Sequence, residues 1–114
     1  FWANPPTAAA AGPGNACTFE WADAQFFLLD SRYNRTPNHR KTGERTILGA
    51  EQKEWLIDAL VNSSATFKVI ASSGQLLSTV PEHETWIRFF PEERDWLLRT
   101  VEAEKIEGVV ILSG

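Results

Sequence analysis

The spacing of hydrophobic residues predicts three strands that alternate with two helices. Residues 26–29 and 109–112 are short apolar runs, a pattern typical of strands that are buried on both faces of a parallel sheet, and residues 67–71 are a run rich in strand-forming residues. Residues 49–62 carry apolar side chains at helical spacing, and Pro91 suits the first position of a second helix. The order strand, helix, strand, helix, strand predicts an α/β fold with a mostly parallel sheet covered by helices.

The regions outside these elements are predicted to be less regular. Residues 1–18 are rich in proline, glycine and alanine and indicate an irregular arm, followed by a short strand around residues 19–21. Residues 31–48 show no periodicity and predict a long surface loop. With 114 residues, the chain corresponds to one domain or a part of one, and we assign residues 19–114 to its α/β part.

Polar residues follow each predicted strand, and ligands of parallel sheets bind outside the carboxyl ends of the strands. These ends are Asp30-Ser31-Arg32, Ser72-Ser73-Gly74 and Ser113-Gly114. Candidate chemistry is therefore expected there.

The first of these ends opens a basic loop, residues 31–45. This loop holds five basic residues against one acidic residue, whereas the whole chain has a net charge of −4. One guanidinium group can bind two phosphate oxygens at once, so the loop is a candidate anion site. The alternative is a solvated loop whose arginines pair with the acidic surface.

Asp30 and Arg32 form the sharper feature of this loop. In a strand, positions two apart face the same side, so the two side chains could share an ion pair at the strand end. Arg32 would then contact a phosphate or carboxylate with Asp30 orienting it, or the pair would only clamp the loop.

Other residue types offer little chemistry. His39 and His83 lack the spacing of metal ligands, and the single Cys17 has no partner for a disulfide. No phosphate-binding glycine motif or hydrolase elbow occurs, and no apolar run is long enough to span a membrane.

Read together, the segments resemble the PhoD-like alkaline phosphatases. Residues 26–35 are similar to a family block FFxLDxRxxR, and residues 47–56 and 67–73 are similar to its next helix and strand. Trp86 with residues 90–98 resembles a block W…xPxxRxxLL, and residues 109–114 resemble the strand that leads into GDxH. Residues 1–5 are also similar to a family segment.

This resemblance implies a calcineurin-like metallophosphoesterase sandwich, of which this chain would be an internal fragment. It implies an exported, extracytoplasmic hydrolase of phosphomonoesters or phosphodiesters that uses iron and calcium to activate water. Ser72 and Ser73 stand where many relatives in the superfamily have a histidine ligand, so no metal ligand is assigned in this chain. Asp30, Arg32 and Arg35 remain as residues that bind substrate or support the site.

We therefore expect the metal ligands to lie outside this chain, which alone would be inactive. Its partners would be a phosphate ester and the remainder of its own domain, with no stable nucleic-acid partner. The chain contains no methionine and begins with Phe1, so targeting information is expected upstream. The rival interpretation is a noncatalytic α/β module that binds anions or nucleic acids through residues 31–45, and a third is a phosphatase relative without activity.

Overall fold

The computed structural model describes residues 9–10, 14–82 and 84–114, which form a mixed sheet of five strands and three helices. In chain order these elements are β1 (Ala9–Ala10), β2 (Cys17–Trp21), β3 (Ala24–Leu28), α1 (Ala50–Asn62), β4 (Phe67–Ser72), α2 (Trp86–Phe89), α3 (Pro91–Ala103) and β5 (Val109–Ser113).

The strands lie in the sheet in chain order, and β3, β4 and β5 run parallel to one another. The strand β2 joins β3 as an antiparallel hairpin, with Ala22 in the left-handed region (φ 51°) at the turn, and β1 pairs antiparallel with β2. The parallel unit β3-α1-β4-α3-β5 confirms the predicted α/β order. Each parallel connection contains a helix because parallel strands require a long crossover.

Both long helices begin and pack as their sequences predict. Pro91 occupies the first turn of α3, where its missing N–H leaves no helical hydrogen bond unmade. Leu56 and Leu60 of α1 and Leu97 of α3 are fully buried against Phe27 and Ile70 of the sheet. The core therefore lies between the two helices and the sheet face that carries Phe27 and Ile70.

Several boundaries differ from the predicted ones. The strand β2 already begins at Cys17, and Ala9–Ala10 pairs with it, so the segment predicted to be irregular contributes to the sheet. Residues 1–8 and 11–13 of the predicted arm, and His83, lie outside the described residues. The region 75–90, which showed no pattern, holds the short helix α2 and a bridge between Gln75 and Thr85.

The opposite face of the sheet is apolar but has no covering layer among the described residues. Strand register places Phe26, Val69 and Val110 in one row of this face, and Phe19 stacks on Phe26 with 4.9 Å between ring centroids. Leu112, in the next row, is 53% exposed. On this face Cys17 and Val69 are buried, whereas Leu112 and Phe67 are about half exposed, so the predicted burial of the strands on both faces is only partly realised here.

Candidate functional site

The carboxyl ends of β3 and β4 meet at one edge of the sheet and form an open cleft. Its volume is about 420 Å³, and it is lined by Asn15, Leu29, Asp30, Ser31, Arg32, Tyr33 and Ser73. The cleft lies where the strand order predicts a ligand site. Asp30 and Arg32 both line it, as the sequence predicts, whereas Arg35 does not.

The Asp30 carboxylate organises the turn that follows β3. One oxygen accepts the backbone N–H groups of Arg32 (2.8 Å) and Tyr33 (3.0 Å), and the other accepts that of Asn15 (2.8 Å). Burial alone raises the pKa of this carboxyl, but the three backbone hydrogen bonds outweigh burial, so the pKa lies below its usual value. Asp30 is thus a charged acceptor that fixes the backbone on both sides of the cleft.

The Arg32 guanidinium does not pair with Asp30, contrary to the expected ion pair. The chain leaves β3 at Leu28 and turns, so the rule that residues two apart in a strand face the same side no longer applies. Asp30 binds the backbone of Arg32, while Arg32 Nη2 donates to Glu84 Oε2 at 2.8 Å. The two side chains are 62% and 57% exposed, and such surface pairs contribute about 0–1 kcal/mol. A phosphate could therefore displace Glu84 from Arg32 at little cost.

Gln52 of helix α1 binds the main chain at the end of β3. Its Oε1 accepts the Asp30 N–H at 2.8 Å, and its Nε2 donates to the Asp30 carbonyl, also at 2.8 Å. The same Nε2 donates to the Leu48 carbonyl at 3.0 Å. Gln52 is 5% exposed, so these bonds are made away from water.

Two serines connect the loops after β3 and β4. Ser31 Oγ and Ser73 Oγ form a short hydrogen bond of 2.5 Å, with Ser31 buried and Ser73 exposed. This bond joins the two strand ends across the cleft. It leaves the exposed Ser73 hydroxyl at the cleft surface as a polar group.

Two other basic residues of the loop, Arg35 and Arg45, hold it on the body. Arg35 stacks over the Phe90 ring at 4.9 Å, and Arg45 lies 5.2 Å from the same ring. Burial, and next the positive charge of Arg32, lower the pKa of Arg35. Arg45 also donates to the carbonyls of Phe89 (3.0 Å) and Arg40 (2.7 Å). Arg35 and Arg45 are therefore anchored on an aromatic surface.

A second groove of about 580 Å³ lies beside this aromatic surface. Its lining comprises Gly43, Glu44, Arg45, Arg88, Phe89, Phe90, Pro91 and Glu92. The two arginines of the lining are matched by two glutamates, so the groove has no excess of positive charge. This balance does not favour the basic loop as a polyanion-binding surface.

The described residues do not fit a metal centre. No three of their His, Cys, Asp or Glu side chains come together as a ligand set in residues 14–82 and 84–114. His39 lies exposed in the loop, and Cys17 is buried in the sheet, where burial raises the pKa of its thiol. At the cleft, the Asp30 carboxylate is already occupied by three N–H groups.

Sequence reasoning missed three polar residues that hold the site. Gln52 lies in the predicted helix 49–62, where a polar residue among the apolar positions signals a buried hydrogen bond. Glu93, at the start of the second helix, is 4% exposed and accepts hydrogen bonds from Thr46 Oγ1 at 2.7 Å and from the N–H groups of residues 47 and 48. Glu84, the partner of Arg32, carried no local signal, because its contact spans 52 residues of chain.

Comparison with known proteins places this arrangement in context. A family model described as PhoD-like phosphatase matches residues 9–114. Alkaline phosphatase D of Bacillus subtilis (strain 168) is 26% identical over 113 residues, which cover 89% of this chain and 19% of that protein. A solved structure, described as the structure of PhoD, aligns with a TM-score of 0.74 and 24% identity over 87% of this chain and 23% of the solved chain.

The chain thus spans about a fifth of the length of the relatives it matches. The structural likeness confirms the mixed α/β fold as part of a larger domain. Among the described residues, no helix combines the length and apolar character needed to cross a membrane.

Proposed function

Because the chain belongs to the PhoD-like phosphatase family, we propose that it forms part of a hydrolase of phosphate monoesters or diesters. The observation that carries this proposal is the family match over residues 9–114. The cleft at the carboxyl ends of β3 and β4 supports this proposal, because the positively charged Arg32 lines it, at the place where a parallel sheet binds its ligand.

Within this hydrolase, Arg32 is the residue of the chain that contacts the phosphoryl group. Its guanidinium is exposed at the cleft, and its present partner Glu84 is a carboxylate, which a phosphate oxygen can replace. Asp30 fixes the backbone of Arg32 through the hydrogen bonds of the turn. Arg35 supports the loop through its stacking on Phe90 and its bond to Asn38 Oδ1 at 3.2 Å.

The family resemblance implies iron and calcium, which would supply the activated water and polarise the phosphoryl oxygens. The described residues offer no ligand set for them, so we assign these ligands to other parts of a longer polypeptide. The contribution of this chain is therefore to bind and orient the phosphate.

The uncovered apolar face of the sheet supports a role as one layer of a two-sheet sandwich. Strand β3 is apolar at successive positions, a pattern for burial on both sides, yet Phe67 on this face is 51% exposed. We assign the covering layer to the remainder of the same domain. An extracytoplasmic location follows from the same family resemblance.

Hydrolysis of p-nitrophenyl phosphate and of its bis-ester by the full-length protein tests this function. Arg32→Ala should lower kcat/KM about 10²-fold, because a charged hydrogen bond to phosphate is lost. Arg40→Ala is the matched control: Arg40 lies in the same loop, is exposed, and binds the Thr42 carbonyl outside the cleft. Activity that falls equally in both variants, or only in proportion to lost folded protein, would contradict the role of Arg32.

A further inference from the structure

We propose that Gln52 is a positioning residue, which sets the place of Arg32 in the cleft by holding both backbone polar groups of Asp30. This inference rests on the proposed function, because it assumes that Arg32 contacts the phosphate. It concerns a buried amide on α1 that does not line the cleft itself.

The geometry at Asp30 resembles one rung of a β-ladder made by a side chain. The residue before it, Leu29, still donates its N–H to Ala71 of β4 at 2.9 Å. Asp30 then turns away from β4, and its N–H and carbonyl both bind the Gln52 amide at 2.8 Å. The amide offers an acceptor and a two-proton donor side by side, which match the N–H and carbonyl of one residue. Gln52 therefore determines where the strand ends and the turn begins.

Asp30 in turn transmits this position to Arg32. Its carboxylate accepts the Arg32 N–H at 2.8 Å, so the backbone of Arg32 follows the backbone of Asp30. Among the residues that the structure describes, the guanidinium itself is restrained by an exposed ion pair with Glu84. The position of the backbone end of the Arg32 side chain is consequently set by the hydrogen bonds from Gln52 to Asp30 and from Asp30 to Arg32.

Gln52 is itself held by the segment that precedes α1. Its Nε2 also donates to the Leu48 carbonyl, and the Leu48 N–H is bound by the buried Glu93 carboxylate of α3 at 3.2 Å. The amide can therefore neither rotate nor exchange its donor and acceptor without losing a buried hydrogen bond.

The test uses Gln52→Glu in the full-length enzyme. The carboxyl group keeps an acceptor for the Asp30 N–H, but it has at most one proton to donate, whereas the amide donates to the carbonyls of both Asp30 and Leu48. A displaced Arg32 should lower kcat/KM for p-nitrophenyl phosphate about 10- to 100-fold, with most of the change in KM. In an Arg32→Ala background, the same substitution should change kcat/KM by less than about 3-fold, because groups that act through one another are non-additive.

The matched control is Gln25→Glu, which makes the same chemical change in the half-buried part of β3. Gln25 Nε2 donates to Thr18 Oγ1 at 2.9 Å, away from the strand ends. This variant should keep kcat/KM within about 3-fold of the parent even where it lowers stability. Gln52→Met, which is near in size and uncharged, provides a second variant if Gln52→Glu does not fold.

The outcomes separate this inference from the proposed function. Loss of kcat/KM in Gln52→Glu or Gln52→Met that disappears in the Arg32→Ala background supports the positioning role. Equal loss in both backgrounds, unchanged activity in the folded variants, or failure of both variants to fold while Gln25→Glu folds would overturn it. Wild-type activity of Arg32→Ala alone instead refutes the proposed role of Arg32, and with it the premise of the inference.

Discussion

Removal of the Glu93 carboxylate should destabilise the protein more than any other single charge removal in this layer. The carboxylate is 4% exposed, and its contacts tie α3 to the segment that precedes α1. It accepts the hydroxyl of Thr46 and the N–H groups of Ile47 and Leu48. Lys53 Nζ lies 3.6 Å from Glu93 Oε1, the oxygen that accepts the Thr46 hydroxyl.

The expected magnitude follows from the groups left without a partner. Glu93→Ala leaves two buried backbone N–H groups unsatisfied, and each costs about 1–3 kcal/mol. Adding the loss of the buried charge contacts, we expect the free energy of unfolding to fall by about 3–5 kcal/mol. Glu93→Gln, which keeps one acceptor oxygen, should cost about 1–2 kcal/mol, because the remaining bonds lose their charge.

Glu92→Ala is the control for this experiment. Glu92 precedes Glu93 in the first turn of α3, so both substitutions remove the same favourable charge from the helix N-terminus, but Glu92 is exposed. Its free energy of unfolding should change by about 0.5 kcal/mol or less. Denaturant unfolding of the full-length variants, followed by fluorescence, measures the difference. If Glu93→Ala and Glu92→Ala unfold at the same denaturant concentration, the buried carboxylate does not anchor the loop.

Three further predictions concern acid stability, packing and activity. The lowered pKa of Asp30 means that its carboxylate stabilises the fold fully above the unfolded-state pKa of about 3.9, and that this stability is lost as pH falls through the lower folded pKa. Asp30→Asn should therefore flatten the fall in unfolding free energy below about pH 4, and an unchanged acid profile would contradict this. Trp55→Ala should cost about 2–4 kcal/mol, since the ring is partly buried and meets Phe27 edge to face at 6.3 Å, and a shift in the unfolding midpoint no larger than that of an exposed substitution would refute the packing. The isolated 114-residue chain with iron and calcium added should not turn over p-nitrophenyl phosphate, and purified chain that does so would show that it holds its own metal ligands.

The elements of this fold could be predicted because their signals are local. Pro91 predicts the start of α3, and the strand-forming residues 67–71 predict β4, which extends to Ser72. The short helix α2 was missed, because four residues are too few to show a helical period. Local pattern therefore recovers the long elements and leaves the short ones undefined.

The location of the candidate site could be predicted from the sequence, but the contacts between its residues could not. The chain direction of β3 placed Asp30 and Arg32 at a strand end, and the structure has both at the cleft. The predicted ion pair between them was wrong, because their arrangement depends on where the turn begins. Gln52, 22 residues further along the chain, fixes that point. A local sequence pattern cannot show a contact between residues so far apart in the chain. The contacts of Glu84 and Glu93 were missed for the same reason.

The apolar sheet face that carries Phe26, Val69 and Val110 affects how sequence variation in this chain should be interpreted. Solvent exposure is the usual guide to mutational tolerance, and by that guide Leu112, at 53% exposed, is a permissive position. If a second layer covers this face, polar substitutions at Leu112 and Val110 would be rejected as strongly as those at core positions. Tolerated changes there would be apolar and matched in volume by changes in the covering layer, so these residues should vary in concert with positions distant in the polypeptide.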